Sequence, residues 1–184
     1  EVARRNKLRN GLIYFQVTRG VARRSHEFPS GVASSLVVTA KHIPNLNNLP
    51  DPAGVSVITI PDIRWDRRDI KTIALLPNCL GKQQAKEAGA FEAWQVDPDG
   101  TVTEGTSSNA WIVTRDGELV TRPPTNAILN GITRMRIIAI AEESGIPFVE
   151  RAFTVAEAHS AREAFVSSAS SFAKPVTRID DQVI

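Results

Sequence analysis

Hydrophobic positions in this 184-residue chain fall into short runs separated by turn-forming residues, a pattern typical of mixed strands and helices. Runs rich in β-branched and aromatic residues predict strands at 11–18, 36–39, 55–60, 91–96, 110–113, 118–121 and 164–167. Helical spacing and terminal signals predict helices at 77–88, 132–144 and 154–161. No apolar run approaches the ~20 residues that cross a bilayer.

The segment 43–54 is rich in proline, asparagine and glycine and shows no periodicity, which is typical of a linker. We therefore predict a remnant of a small N-terminal α/β domain at 1–44, an interdomain linker at 45–54 and a large C-terminal domain at 55–184. The first 45 residues show only strands and loops. The order of the elements predicts an α+β or α/β fold.

Composition excludes several classes of function. The net charge of +2 is too small to indicate nucleic-acid binding, and a solvated face explains the basic N-terminal end better than a polyanion-binding arm. Cys79 is the only cysteine, and the three histidines lack metal-ligand spacing. We predict a cytoplasmic protein without metal, membrane or nucleic-acid partners.

Two unusual segments suggest pyridoxal phosphate chemistry. Lys71 lies between a cluster of charges and a short apolar run, and a lysine can form a Schiff base with a carbonyl group. Glu104 precedes a glycine and three hydroxyl residues, which we interpret as a hydroxyl-rich turn that holds one carboxylate against a pyridine nitrogen. An ordinary polar surface loop is the alternative for the second segment.

Two other segments are candidate anion sites. Asn130-Gly-Ile-Thr-Arg134 stands at a predicted helix start, where unpaired backbone N–H groups attract phosphate; a plain helix start capped by Asn130 is the alternative. Ser167-Ser-Ala-Ser-Ser171 offers hydroxyl and amide donors at a strand end, with a solvated turn as the alternative.

Arg24 and His26 lie two residues apart, so their side chains would point the same way in an extended loop and could bind one carboxylate together. A structural salt bridge is the alternative.

These segments together resemble the class IV (fold type IV) pyridoxal-phosphate aminotransferases, most closely their D-amino acid branch. The resemblance covers nearly the whole chain, and the motifs occur in the family's order. The matching segments are Ile13–Gly20, Arg24-x-His26 with Phe28-Pro29, Asp62–Trp65, Asp69–Lys71, Val102–Gly105 with Ser107–Asn109, and Ile128-Leu-x-Gly-Ile-Thr-Arg134.

The resemblance implies a role for each matching residue. Lys71 would form the Schiff base with the cofactor and shuttle the substrate proton, while Glu104 would pair with the pyridine nitrogen. Leu129 would pack on the cofactor ring, and Arg64 would support the site. The residues implied to bind the cofactor phosphate are Ile132, Thr133, Ser168 and Ala169. Arg24 and His26 would hold the substrate carboxylate, across the interface of a homodimer.

Two departures from the family pattern matter. Ala169 stands where the D-specific enzymes carry a hydroxyl residue, so that phosphate contact would fall to the backbone amide. The small N-terminal domain, with its phosphate-binding arginine, and the closing C-terminal helix are mostly missing. We therefore expect a fragment of a longer enzyme that transfers the amino group of a D-amino acid such as D-alanine to a 2-oxo acid such as 2-oxoglutarate.

Three alternatives stay open at this point. A branched-chain L-amino acid aminotransferase and an aminodeoxychorismate lyase share the fold. A truncated, cofactor-free and non-catalytic domain is the alternative of another class.

Overall fold

The computed structural model describes residues 1–43 and 53–184. The chain divides into two compact units, Glu1–Leu49 and Pro50–Ile184, and each has a sheet of its own. The predicted linker at 45–54 lies mostly outside the described residues. The predicted domain boundaries stay predictions.

The first unit is a two-stranded antiparallel sheet preceded by one helical turn. β1 (Gly11–Thr18) pairs with β2 (Ser35–His42) in unbroken register, from Gly11 opposite His42 to Thr18 opposite Ser35. Both predicted strands are confirmed. The expectation of strands and loops alone was wrong, because α1 (Val2–Arg5) forms a single turn, too short to show helical periodicity in sequence.

The second unit is built on a nine-stranded mixed sheet in the order β5-β4-β3-β10-β9-β6-β7-β8, with β11 paired to β10. Its strands are β3 (Val55–Pro61), β4 (Glu92–Val96), β5 (Val102–Gly105), β6 (Asn109–Val113), β7 (Leu119–Thr121), β8 (Phe148–Glu150), β9 (Glu163–Ser168), β10 (Phe172–Ile179) and β11 (Gln182–Val183). The pairs β3–β4, β3–β10 and β7–β8 are parallel, and the other pairs are antiparallel. This sheet confirms the α+β fold class.

Helices provide two of the parallel connections. α2 (Leu76–Glu87) joins β3 to β4, and α3 (Ile132–Glu143) joins β7 to β8, because parallel neighbours need a crossover. α4 (Val155–Ser160) begins after Thr154, whose hydroxyl accepts the N–H of Glu157 as the capping pattern predicts. The three predicted helices are confirmed within about one residue at their ends. None of the helices in residues 1–43 and 53–184 has the length and apolarity to cross a membrane.

Four strands escaped prediction, namely β5, β8, β10 and β11. In β10, Lys174, Pro175 and Arg178 interrupt the alternation of apolar residues, yet the strand pairs with β9 on one side and β3 on the other. In β5, threonine, glutamate and glycine are all buried and do not look like a strand. The core around these strands is apolar, with Trp94 edge-on to Phe153 and Trp111 stacked on Phe165.

Candidate active site

Glu104 lies on β5 as a buried carboxylate with three hydrogen-bond donors. Its Oε1 accepts from Nη1 of Arg64 at 2.5 Å, and its Oε2 accepts from Nδ2 of Asn109 at 3.0 Å and the backbone N–H of Leu129 at 3.1 Å. The residue is 5% exposed. The sequence predicted a hydroxyl-rich turn here, and the structure corrects this to a strand.

Burial raises the pKa of Glu104 from its ordinary 4.5 to about 7. The charge and hydrogen bond of Arg64 and the N–H of Leu129 oppose that shift, while the negative charge of Asp62 adds to it. A carboxylate with a pKa near neutrality is stabilised by any further positive charge placed beside it. Glu104 is therefore chemically suited to face a cationic nitrogen.

The three hydroxyls after Gly105 hold a different carboxylate, Glu92. Its Oε1 accepts from Thr106 at 2.5 Å, and its Oε2 accepts from the hydroxyls of Ser107 and Ser108 at 2.8 and 3.1 Å. A Cβ on Gly105 would stand 2.3 Å from the Ser108 hydroxyl oxygen, so only glycine lets this cluster close. The prediction that these hydroxyls fix Glu104 was wrong, because β4–β5 pairing places Glu92 beside them.

Asn109 links Glu104 to the loop before α3. Its Nδ2 donates both to Glu104 and, at 2.8 Å, to the carbonyl of Leu129. The loop packs tightly here, because a Cβ on Gly131 would stand 2.6 Å from Oδ1 of Asn109. One side chain therefore fixes the carboxylate and the start of α3 relative to each other.

The first turn of α3 presents free backbone donors. Gly131 is the N-cap and no side chain caps this helix, so the first N–H groups, including those of Ile132 and Thr133, point outward without helical partners. The alternative with Asn130 as cap is not what forms, because its Oδ1 accepts from Nη1 of Arg134 at 2.9 Å. The Ile132 side chain is 79% exposed, so that residue is available through its backbone rather than as core.

Arg134 locks this turn to the body of the domain. Its buried guanidinium donates to Asn130, to the carbonyl of Arg122 at 2.8 Å and to the carboxylate of Glu150. A helix start that offers free donors and is held rigidly in this way can bind an anion such as phosphate.

Ser168 and Ala169 lie beside this region at the end of β9. β9 pairs with β6 so that Ser167 stands opposite Asn109, and α3 packs against β9. The hydroxyl of Ser168 accepts the N–H of Ser171 at 3.1 Å and lies 3.3 Å from the hydroxyl of Ser170, so its own hydrogen can go to another acceptor when Ser170 is the donor of that pair. Ala169 is exposed in the turn.

Lys71 lies on the loop between β3 and α2 and is exposed. Among the described residues it makes no hydrogen bond or ion pair. The loop is tied to the region of Glu104 at two points, through Arg64 and through the N–H of Arg68, which donates to the carbonyl of Asn126 at 3.1 Å. The structure shows no direct contact between Lys71 and Glu104.

Arg24 and His26 belong to the first unit, in the loop between β1 and β2, and both are exposed. Within residues 1–43 and 53–184 neither forms an ion pair, so the salt-bridge alternative has no partner in the described part of the chain. Their joint role stays a prediction.

The second unit thus joins Glu104, Leu129, Ile132 and Thr133 directly or through the backbone, with Ser168 on an adjoining strand. Asn109, Asp62 and Glu92 were not predicted as site residues. Asn109 and Asp62 lie within the segments that resemble the family, and that resemblance was the signal by which they could have been found. Glu92 lies outside those segments, and only strand pairing reveals its partners.

Comparison with known proteins identifies the family of the chain. A family model described as amino-transferase class IV matches residues 1–179. The chain belongs to this family. It is 44% identical over 180 residues to the D-alanine aminotransferase of Bacillus licheniformis, covering 97% of the chain and 62% of that protein.

Solved structures of aminotransferases share the fold of this chain. The branched-chain amino acid aminotransferase of Escherichia coli has a TM-score of 0.83 and 27% identity, over 99% of the chain and 62% of that structure. A hypothetical aminotransferase from Mycobacterium tuberculosis, in its PLP-bound form, has a TM-score of 0.72 and 25% identity, over 85% of the chain and 58% of that structure. The chain thus spans about three fifths of the length of these relatives.

Proposed function

We propose that the protein is a pyridoxal-5'-phosphate-dependent transaminase that moves the amino group of a D-amino acid such as D-alanine to a 2-oxo acid such as 2-oxoglutarate. The observation that carries the proposal is the single hydrogen-bonded assembly of Glu104, Asn109 and Leu129 at the start of α3. It offers an acceptor for a cationic nitrogen and donors for a phosphate on one rigid frame.

The residues present fit the cofactor. Glu104 has a pKa raised by burial and gains from a positive partner, and the uncapped start of α3 has backbone donors that await an anion. Ile132 and Thr133 would hold the phosphate through their N–H groups, with the Ser168 hydroxyl as a further donor. Glu104 would hold the ring nitrogen, and Leu129 would lie beside the ring.

When bound, the cofactor supplies an electron sink for the electrons of the substrate's α-carbon. The chain's own residues do the rest of the work. Nζ of Lys71 would hold the cofactor covalently until the amino group of the substrate displaces it. As a free amine it would then accept the proton from the α-carbon and deliver it to C4′ of the cofactor. The anchored loop of Lys71 limits where that amine can lie.

The choice of a D-amino acid rests on two supports. Identity to a D-alanine aminotransferase is 44%, against 27% to a branched-chain enzyme. The pair Arg24 and His26 would bind the α-carboxylate of either substrate, and we infer that this contact selects the D-enantiomer. A homodimer and a cytoplasmic location remain predictions.

Borohydride reduction tests the proposal directly. The protein mixed with pyridoxal 5'-phosphate should show a visible absorption band, and reduction should fix the cofactor to Lys71, as located by mass spectrometry. Lys71→Ala should abolish both fixation and transamination, whereas Lys86→Ala on the exposed face of α2 should change neither. Fixation on Lys82 or Lys86 would refute the assignment, and faster turnover of L-valine than of D-alanine would favour the branched-chain hypothesis.

A further inference from the structure

Glu104 shares its arginine with a second buried carboxylate, Asp62. Asp62 accepts from the main-chain N–H of Arg64 at 3.1 Å, from its Nε at 2.9 Å and from its Nη2 at 2.7 Å. Only Nη1 reaches Glu104. The side chains of Arg64, Asp62 and Glu104 are 8%, 0% and 7% exposed. Water therefore does not screen the competition of the two carboxylates for Arg64.

Asp62 is itself held in place by neighbours other than Arg64. The Thr103 hydroxyl lies 2.7 Å from its Oδ2, a shorter contact than the 3.0 Å to the carbonyl of Gln95, and Nε of Arg68 lies 3.3 Å from the same Oδ2. Arg68 also pairs with Asp97. The orientation of the Arg64 guanidinium is therefore set mainly by Asp62 and its neighbours, and not by Glu104.

An arginine directed wholly at Glu104 would saturate that carboxylate and make it a poor acceptor for another cation. A bidentate arginine–carboxylate pair is the stronger geometry, and here Asp62 receives it. We propose that Asp62 is a positioning residue that takes most of the donors of Arg64, so that Glu104 stays a strong acceptor for the cationic ring nitrogen of the cofactor. This inference rests on the proposed function.

The same chain offers a matched control. Arg67 and Asp69 form an exposed pair with the same spacing and the same bidentate contact, at 3.0 Å for both bonds, but without a third carboxylate. Removing the charge of Asp69 changes the net charge of the loop equally. Among residues 1–43 and 53–184, Asp62 alone shares an arginine with Glu104.

The test is a carbon-13 NMR titration of the full chain labelled at glutamate Cδ, with the Glu104 signal identified by its loss in Glu104→Gln. Among the described residues, the charged groups that act most strongly on Glu104 are Arg64 and Asp62, and Arg68 faces Asp62 in turn. Without the charge of Asp62, Arg64 turns to Glu104 and one negative neighbour disappears. Asp62→Asn should therefore lower the Glu104 midpoint by about one pH unit.

A second variant gives the opposite sign. Thr103→Val removes a donor from Asp62 and also removes the acceptor that lies 3.3 Å from Nη2 of Arg64. Asp62 is then left as the acceptor for Nη2 and draws more strongly on Arg64, so the Glu104 midpoint should rise. Asp69→Asn should leave it unchanged. An unmoved or raised midpoint in Asp62→Asn, a midpoint that does not rise in Thr103→Val, or an equal shift in Asp69→Asn would overturn the proposal; the Thr103 variant decides alone if Asp62→Asn does not fold.

Cofactor binding provides the link to function. Affinity for pyridoxal 5'-phosphate, read from the visible band, should fall up to about tenfold in Asp62→Asn, since one pH unit in the acceptor's basicity corresponds to tenfold. An undiminished affinity would overturn the link between Asp62 and the cofactor. The titration needs no cofactor, so a wild-type protein that fails to bind it would refute the proposed function while leaving the Asp62 result to be read separately.

Discussion

Replacing Glu104 by glutamine should change how the stability of the cofactor-free protein depends on pH. Folding moves the pKa of this carboxyl from 4.5 to about 7, because burial disfavours its charged form more than Arg64 and the N–H of Leu129 favour it. The folded protein therefore binds more protons than the unfolded chain between those two values. The contribution of Glu104 is most favourable below pH 4.5 and is lost as pH rises through 7.

The size of the effect follows from the shift. At 1.36 kcal/mol per pH unit, a group with these two pKa values lowers the free energy of unfolding by about 2.5 kcal/mol between pH 5 and pH 8. Glutamine does not titrate, so the stability of wild type minus that of Glu104→Gln should fall by about this amount across the range. Other titrating groups cancel in the difference.

Urea unfolding at each pH unit from 5 to 8 measures that difference. Glu143→Gln, which alters an exposed glutamate paired with Arg136, should give a flat difference and serves as the control. If the stability of the wild type instead increases relative to that of Glu104→Gln as pH rises, the three hydrogen-bond donors outweigh the effect of burial on the pKa of Glu104. Glu104 would then already be satisfied as an anion, which would remove the reason to place a cation beside it.

Three further changes test the frame of the site. Asn109→Ala should cost about 1–3 kcal/mol in the free energy of unfolding and weaken cofactor binding, because Glu104 and the loop before α3 both lose a donor; unchanged affinity would refute the linking role. Arg134→Met should lower stability by about 3 kcal/mol in thermal unfolding, while Arg136→Met on the exposed face should cost under about 0.5 kcal/mol. Glu92→Gln should cost stability at pH 7 but progressively less below about pH 4, since the wild-type contribution of this lowered-pKa group disappears on protonation; a difference independent of pH would contradict that.

The sequence predicted most elements of the fold wherever apolar periodicity was clean. α2 and α3 follow helical spacing and end near Gly89 and Gly145, whose positive φ values, 69° and 66°, suit glycine. β10 could not be predicted in the same way. Its position between two strands is fixed by long-range pairing, and its charged residues and Pro175 hide the pattern.

The candidate site, too, could be predicted from the sequence where the signals are local, and not where they depend on long-range pairing. The placement of Ile132 and Thr133 at a helix start followed from local signals, and the structure shows that start uncapped. The neighbours of Glu104 could not be read from spacing, because Leu129 is 25 positions away and Arg64 is 40. Hydroxyls adjacent in sequence were assigned to Glu104, whereas strand pairing gives them to Glu92.

The contrast between these two carboxylates explains why only one is a candidate for cofactor chemistry. Glu92 and Glu104 are 1% and 5% exposed, and burial opposes ionisation of both. Hydroxyl donors and Lys82 outweigh the effect of burial at Glu92, so its pKa is lowered. Glu92 is therefore an anion whose charge is already balanced within the fold. At Glu104 the charge and the hydrogen bond of Arg64 do not overcome burial, because that arginine is shared with Asp62. Two buried groups whose environments push their pKa values apart serve different purposes. The one left short of positive charge is where a cationic ring nitrogen gains most, and this favours the cofactor at Glu104 rather than at the more hydroxyl-rich Glu92.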